Sequence, residues 1–180
     1  LLDLKLQDIP NTVAKSLSVL TALGTDMLNV HAVGGAKMMA EAAKAVKETA
    51  AKMNRPAPKL IAVTVLTSMD EAQWADLSYQ KTIAEQVVAL ALLAKKSGLD
   101  GVVASPQEAA AIRKACGPDF LIVTPGVRPA GAALNDQSRV ATPAGAFKNG
   151  SSHIVVGRPI TQAEDKVAAA KAIVAEIRGV

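Results

Sequence analysis

Aromatic side chains are scarce: two Phe, one Trp and one Tyr in 180 residues, too few for the stacking platforms that hold single-stranded nucleic acid. Cysteine is reduced to Cys116 alone, which excludes an internal disulfide, and the two histidines leave little from which to build a nitrogen- or sulfur-ligated metal site. A reducing, cytoplasmic setting is therefore expected. No apolar run reaches the roughly 18 residues that a membrane-spanning helix needs, and no basic stretch followed by an apolar one opens the chain. An excess of one charge is also missing. Lys and Arg number 20 against 16 Asp and Glu, a net +4 that is dispersed along the sequence rather than gathered into an arm. Neither nucleic acid nor membrane is expected as a partner. What is present is 50% hydrophobic and 20% charged, the balance of one soluble domain with a sizeable core. Leu1 stands inside a strand-like run, Leu1-Leu2-Asp3-Leu4-Lys5-Leu6, so further sequence is expected before it.

Short apolar runs rich in β-branched residues recur, each followed by a turn and then a longer Ala/Leu/Lys-rich stretch of helical period. Strands are expected at 1–6, 27–31, 60–65, 101–104, 120–123 and 153–157. Helices are expected at 12–23, 36–52, 82–96, 106–116, 142–148 and 163–178. Ile83, Val87, Leu90, Ala91 and Ala94 fall on one helix face, which should cover a sheet. Ser105-Pro106 and Thr142-Pro143 place a capping hydroxyl before a proline suited to the first helical turn, and Gly24, Gly98, Gly117 and Gly150 mark the returns to strand. Strands covered on both sides by helices imply a parallel sheet. Such units form either an open doubly wound sheet or most of an eightfold barrel, and counting does not choose between them.

Both architectures put their chemistry at the carboxyl ends of the strands. The first such end is the richest. Asp3 and Lys5 are two apart and should share a side of a regular strand, with Asp8 just beyond. Either these charges form a desolvated carboxylate, ammonium and carboxylate array in which each ion offsets the burial of the next, or they lie on a solvated edge strand. The third end offers Thr67-Ser68, hydroxyls that could meet a polar ligand or cap the next helix. The fifth offers Thr124-Pro125-Gly126-Val127-Arg128-Pro129, an arginine on a stiffened loop that suits an anion or stands on the surface. The sixth runs into Gly157-Arg158-Pro159, where barrels often hold phosphate. His31 is expected beside the core at a helix entry rather than on a metal, His153 as structural, and Cys116 as a small inert residue. Trp74 and Tyr79 are expected to pack an irregular loop. No Gly-rich nucleotide-binding motif is present.

Five segments taken together resemble the orotidine 5′-phosphate decarboxylase family. They are Asp3-Leu4-Lys5-Leu6-Gln7-Asp8-Ile9-Pro10-Asn11-Thr12, Asn29-Val30-His31-Ala32-Val33-Gly34-Gly35, Ala62-Val63-Thr64-Val65-Leu66-Thr67-Ser68, Thr124-Pro125-Gly126-Val127-Arg128-Pro129 and Val155-Val156-Gly157-Arg158-Pro159. The resemblance covers the whole chain. It implies a (β/α)8 TIM barrel acting as a homodimer without metal or organic cofactor, which converts orotidine 5′-monophosphate to uridine 5′-monophosphate in de novo pyrimidine synthesis. It also implies the residue roles. Lys5 protonates the ring carbon that loses carboxylate, Asp3 lies beside the leaving group, and Asp8 reaches into the neighbouring subunit's site with Ile9 and Thr12 near it. Thr67 holds the pyrimidine, Gln137 bridges base and phosphate, and Arg128, Gly157 and Arg158 grip the phosphate. A lid is expected over 129–139.

Two departures accompany the resemblance. Gln7 stands where a histidine is common, and it should point away from Asp3 and Lys5. Two further βα units, carrying an aspartate for the ribose and a second lysine, belong upstream of Leu1 in the family, so this chain is expected to be one catalytic barrel domain of which about six units are present. Two other readings compete. A sugar-phosphate decarboxylase or aldolase of the same superfamily would share the Asp-x-Lys-x-x-Asp strand and use magnesium, against which Pro10-Asn11-Thr12 and Gln137 argue. A non-catalytic fragment that binds a phosphorylated ligand would bind without turnover.

Overall fold

A computed structural model describes residues 1–129 and 141–179. Its elements follow in the order β1 (Leu2–Leu6), α1 (Pro10–Ala22), β2 (Met27–His31), α2 (Gly35–Lys52), β3 (Lys59–Val63), α3 (Glu71–Asp76), α4 (Ile83–Lys96), β4 (Gly101–Val103), α5 (Ala109–Cys116), β5 (Leu121–Thr124), α6 (Pro143–Lys148), β6 (His153–Ile154), α7 (Arg158–Thr161) and α8 (Lys166–Arg178), with a 3-10 turn over Ala32–Gly34. The strands form one six-stranded sheet in sequence order, every neighbouring pair parallel. Sequential order settles the choice left open above. A doubly wound sheet reverses direction at a switch point, whereas β1 to β6 advance one way, as the staves of a curling barrel do.

The alternation of strand and helix arises from apolar patterning. In β2 and β3, Leu28, Val30, Leu60, Ile61 and Ala62 are all buried, the signature of strands covered on both faces. Helices supply the cover. Val13 and Leu17 of α1 join Met38, Met39, Ala42 and Val46 of α2 in one core cluster, and Val87, Leu90, Ala91 and Ala94 of α4 extend it. The α4 face is the one that the sequence spacing picks out. Its start is fixed by a capping box in which Thr82 Oγ1 accepts the Glu85 N–H and the Glu85 carboxylate accepts the Thr82 N–H.

Among the places that depart from expectation, three have evident local reasons. Helix α5 starts at Ala109 and not at Pro106, because the Ser105 N–H donates to Oε2 of buried Glu108 at 2.9 Å and draws residues 105–108 into a turn. Strand β6 ends at Ile154 instead of Gly157. One more ladder bond follows, Val155 N–H to Thr124 O at 2.9 Å, and then the chain leaves the sheet to begin α7 at Arg158. The stretch after Ser68 contains α3, initiated by Asp70, whose side chain accepts the Gln73 N–H. At the amino-terminal end of the sheet one guanidinium gathers the loops. Arg113 donates to the carbonyls of Gly117, Pro118, Phe120 and Gly150 at 2.7–3.2 Å.

Strands β4 and β5 approach unusually closely at Gly101, where a Cβ would sit 2.3 Å from the Leu121 carbonyl oxygen and 2.5 Å from its Cβ. Backbone cannot yield there without opening the ladder. Gly101→Ala is therefore expected to lower stability by about 1–3 kcal/mol, the usual cost of overpacking; an unchanged urea unfolding midpoint would disprove the close approach.

Candidate active site

Strand β1 departs from regular pleating where its charges lie. Leu2 pairs with Leu28 and Leu6 with Val30, so four steps along β1 oppose two along β2. The surplus is taken up as a bulge. Lys5 sits at φ +52, the left-handed region that costs a residue with a Cβ about 1–2 kcal/mol. Opposite the slip stands Asn29, 2% exposed. Its Oδ1 accepts the Lys5 N–H at 2.8 Å, and its Nδ2 donates to Oδ1 of Asp3. The other Asp3 oxygen accepts from Lys5 Nζ at 2.6 Å. Asp3 and Lys5 thus meet as expected, but a bulge brings them together rather than regular alternation.

Burial pushes the Asp3 carboxyl up, yet the hydrogen bonds from Lys5 and Asn29, with the nearby Lys5 and His31 charges, outweigh it and hold Asp3 below its ordinary value. His31, at the end of β2, is held below the usual imidazole value by burial and by the Lys5 ammonium, with Asp3 opposing. It belongs beside the Asp3–Lys5 pair as a neutral ring near neutral pH.

The expected three-membered array is not formed within this chain. Asp8 is exposed, and its Oδ1 accepts the N–H of Ile9 at 2.6 Å. Among the described residues the ion pair that Lys5 makes is with Asp3, not Asp8. Ile9 is 66% exposed, and Thr12 is exposed on the first turn of α1. Desolvation is also only partial: the Lys5 and Asp3 side chains retain 39% and 48% of their accessibility.

Lys5 and Asp3 face a cavity of about 230 Å³ at the carboxyl ends of the strands, lined also by Val63, Thr67, Val123 and Val155. Thr67 is buried there. A larger hollow of about 460 Å³ lies at the amino-terminal ends of β2 and β3, around Thr21, Arg55 and Lys59, the face of such folds that serves stability rather than chemistry.

The phosphate candidates occupy the last loops. Arg128 is no surface arginine. It is 7% exposed, its Nη1 donates to Val127 O at 2.9 Å, and its buried Nε has no partner among the described residues. A buried guanidinium N–H left open is an acceptor's place. Gly157 is exposed at the start of α7, and Arg158 follows as its half-buried first residue. Neither arginine is among the described residues that line the 230 Å³ cavity. Gln137 and nearly all of the expected lid lie outside the described residues.

The remaining candidates take quiet places. Trp74 stacks on Tyr79 with centroids 4.4 Å apart, and its Nε1 donates to Lys81 O at 2.8 Å, packing the loop before α4. Cys116 is buried, which raises its thiol pKa in spite of Lys95 and Arg113. His153 is exposed beside Ser152 Oγ. Gln7 lines a separate small hollow with His31 and Trp74, away from the Asp3–Lys5 cavity. Among the described residues no group of three His, Cys, Asp or Glu could hold a metal ion. Sequence reasoning quoted Asn29 within a motif without giving it a role. The available signal was one amide in the otherwise apolar run Met27-Leu28-Asn29-Val30.

Comparison with known proteins converges on one family. The family model described as "Orotidine 5′-phosphate decarboxylase / HUMPS family" matches residues 1–173. The orotidine 5′-phosphate decarboxylase of Moorella thermoacetica is 61% identical over 176 residues, 97% of this chain and 70% of its own length. Among solved structures, orotidine 5′-phosphate decarboxylase from Lactobacillus acidophilus superposes with a TM-score of 0.82 at 43% identity, covering 97% of this chain and 73% of that one. The Pyrococcus horikoshii OT3 enzyme of the same name gives 0.71 at 29% identity, covering 99% and 73%.

Because the folded-state pKa of Asp3 is depressed, its ionisation contributes stability that is complete above the ordinary carboxylate value of 3.8 and is lost as pH falls through the lower folded value. Asp3→Asn should therefore be less stable than the parent at neutral pH and converge on it as pH falls, flattening the acid end of the stability profile. Parallel stability profiles of parent and variant between pH 5 and 2 would contradict the assigned shift.

Proposed function

The chain belongs to the orotidine 5′-phosphate decarboxylase / HUMPS family, and we propose that Lys5 and Asp3 are the groups with which it performs its reaction. It catalyses the decarboxylation of orotidine 5′-monophosphate to uridine 5′-monophosphate in pyrimidine biosynthesis, acting as a carboxy-lyase. The observation that carries the residue assignment is the 2.6 Å contact between Lys5 Nζ and Asp3 at the mouth of the strand-end cavity.

The chemistry suits that contact. Breaking the bond from ring carbon to carboxylate releases carbon dioxide and leaves the electron pair on a carbon with little resonance relief. An ammonium already aimed at that carbon stabilises the charge as it develops and needs no reorganisation. The same Lys5 ammonium then gives its proton to the carbon, and solvent restores the charge on the amine. Asp3 keeps the amine protonated and directed, because an adjacent carboxylate favours the charged form.

Remote binding completes the proposal. Arg128, with its buried open N–H, grips the substrate phosphate together with Gly157 and Arg158, and Gln137 bridges phosphate to base. Thr67, buried at the cavity wall, holds the pyrimidine. Binding energy from the phosphate, far from the reacting bond, is then available to close the 129–139 segment over the base.

The unit at work is one catalytic barrel domain, and the partner is a second copy of the chain. Asp8 is exposed and forms no ion pair with Lys5 among the described residues, and it precedes an Ile9 side chain 66% open to solvent. A carboxylate and an apolar side chain presented together are suited to the rim of a neighbouring site, so Asp8, Ile9 and Thr12 serve the other protomer's substrate. A cytoplasmic setting accords with a buried, unpaired thiol at Cys116. Among the described residues no helix is long and apolar enough to cross a membrane.

Lys5→Ala is expected to reduce decarboxylation to background while circular dichroism and a cooperative thermal transition show the variant folded. Substantial turnover in the folded variant would remove Lys5 from its role. Mixing Lys5→Ala and Asp8→Ala chains should restore part of the activity, since one of the two sites in a mixed dimer then keeps both residues. Verified mixed dimers that stay inactive would rule out shared sites.

A further inference from the structure

We propose that Asn29 is a positioning residue for decarboxylation, clamping the Asp3 carboxylate and the Lys5 backbone so that the Lys5 ammonium stands at one fixed point of the cavity. This rests on the assignment of Lys5 and Asp3 above and extends it to a residue that touches neither substrate nor reacting atom.

Asn29 has no local reason to be polar. It is 2% exposed on β2, and its backbone is already in register with Ile61 of β3. Burying an amide is unfavourable unless both its ends are hydrogen-bonded, and both are, each to a different part of β1. The slip in the β1–β2 register is what creates the vacancy that Asn29 fills. Its side-chain oxygen, rather than a strand carbonyl, accepts the Lys5 N–H, holding the left-handed turn from which the lysine side chain springs.

The second bond assigns the carboxylate. With Nδ2 of Asn29 on one Asp3 oxygen and Nζ of Lys5 on the other, rotation of the carboxylate plane is blocked and the ammonium has one direction in which to lie. Lys5 needs such anchoring because its side chain is 39% exposed and long enough to take many directions. Only a planar group that accepts on one atom and donates from the other can do both. Aspartate at position 29 would keep the acceptor and set a second oxygen against Asp3, whereas leucine has the same shape and neither function.

A purely structural Asn29 would affect folding and leave the catalytic constants of folded protein alone. A positioning Asn29 affects kcat, because misplacing a reacting group by a fraction of its reach costs the chemical step rather than binding through the remote phosphate. The experiment compares steady-state decarboxylation of orotidine 5′-monophosphate by the intact protein with that of Asn29→Leu and Asn29→Asp, alongside thermal unfolding of each. For folded variants kcat is expected to fall by about tenfold to 100-fold, with KM within about twofold of the parent. If Asn29→Leu does not fold, Asn29→Asp decides, since it retains the acceptor for Lys5. A folded variant that loses less than about tenfold in kcat, or one whose KM rises as far as its kcat/KM falls, overturns the proposal. The Lys5→Ala control separates the two levels: active parent, inactive Lys5→Ala and fully active Asn29 variants refute the clamp alone, whereas active Lys5→Ala refutes the Lys5 assignment on which the clamp depends.

Discussion

An ammonium and a carboxylate 2.6 Å apart, on residues two apart in one strand, form the constraint around which the rest of the site is arranged. A regular strand would carry them on one side but would not aim one at the other. The bulge in β1 turns the Lys5 backbone into the left-handed region and lets its side chain fold back onto Asp3. That arrangement depends on an acceptor across the ladder, supplied by Asn29. Local strain at Lys5 is thereby offset by hydrogen bonds that also orient the Asp3 and Lys5 side chains.

The sheet gives this pair its setting. Because the six strands run parallel and in order, their carboxyl ends collect at one rim. Residues far apart in the chain, Asp3 and Lys5 on β1, Thr67 after β3 and Val155 after β6, then line one cavity. Arg128 sits behind β5 with an open N–H in a buried setting. The charged candidates are separated accordingly: Asp3 and Lys5 stand on the first strand, Arg128 and Arg158 after the fifth and sixth. A substrate with its phosphate distant from its carboxylate requires that division.

Much of this was legible in the residues. Apolar β-branched runs predicted all six strands, and 27–31 was matched end to end as Met27–His31. Thr142-Pro143 capped its helix as expected, Thr142 accepting the Gly145 N–H. The four glycines expected to mark returns to strand all have positive φ. Ser105-Pro106 misled because the buried Glu108 carboxylate, three residues on, took the Ser105 N–H and delayed the helix. The same blindness hid Asn29: a polar residue in an apolar run signals that a partner exists, but not which residue it is.

Fold class, the family likeness and the identities of the charged residues at the first and last strand ends followed from the sequence by itself, since hydrophobic period and residue chemistry are local properties. Tertiary structure alone decided that Lys5 pairs with Asp3 and not Asp8, that Arg128 is buried with an Nε that has no partner among the described residues, and that Asn29 bridges Asp3 to Lys5. Each of these depends on the register between strands or the direction of a loop, quantities set by packing between segments distant in the chain, which no local pattern encodes.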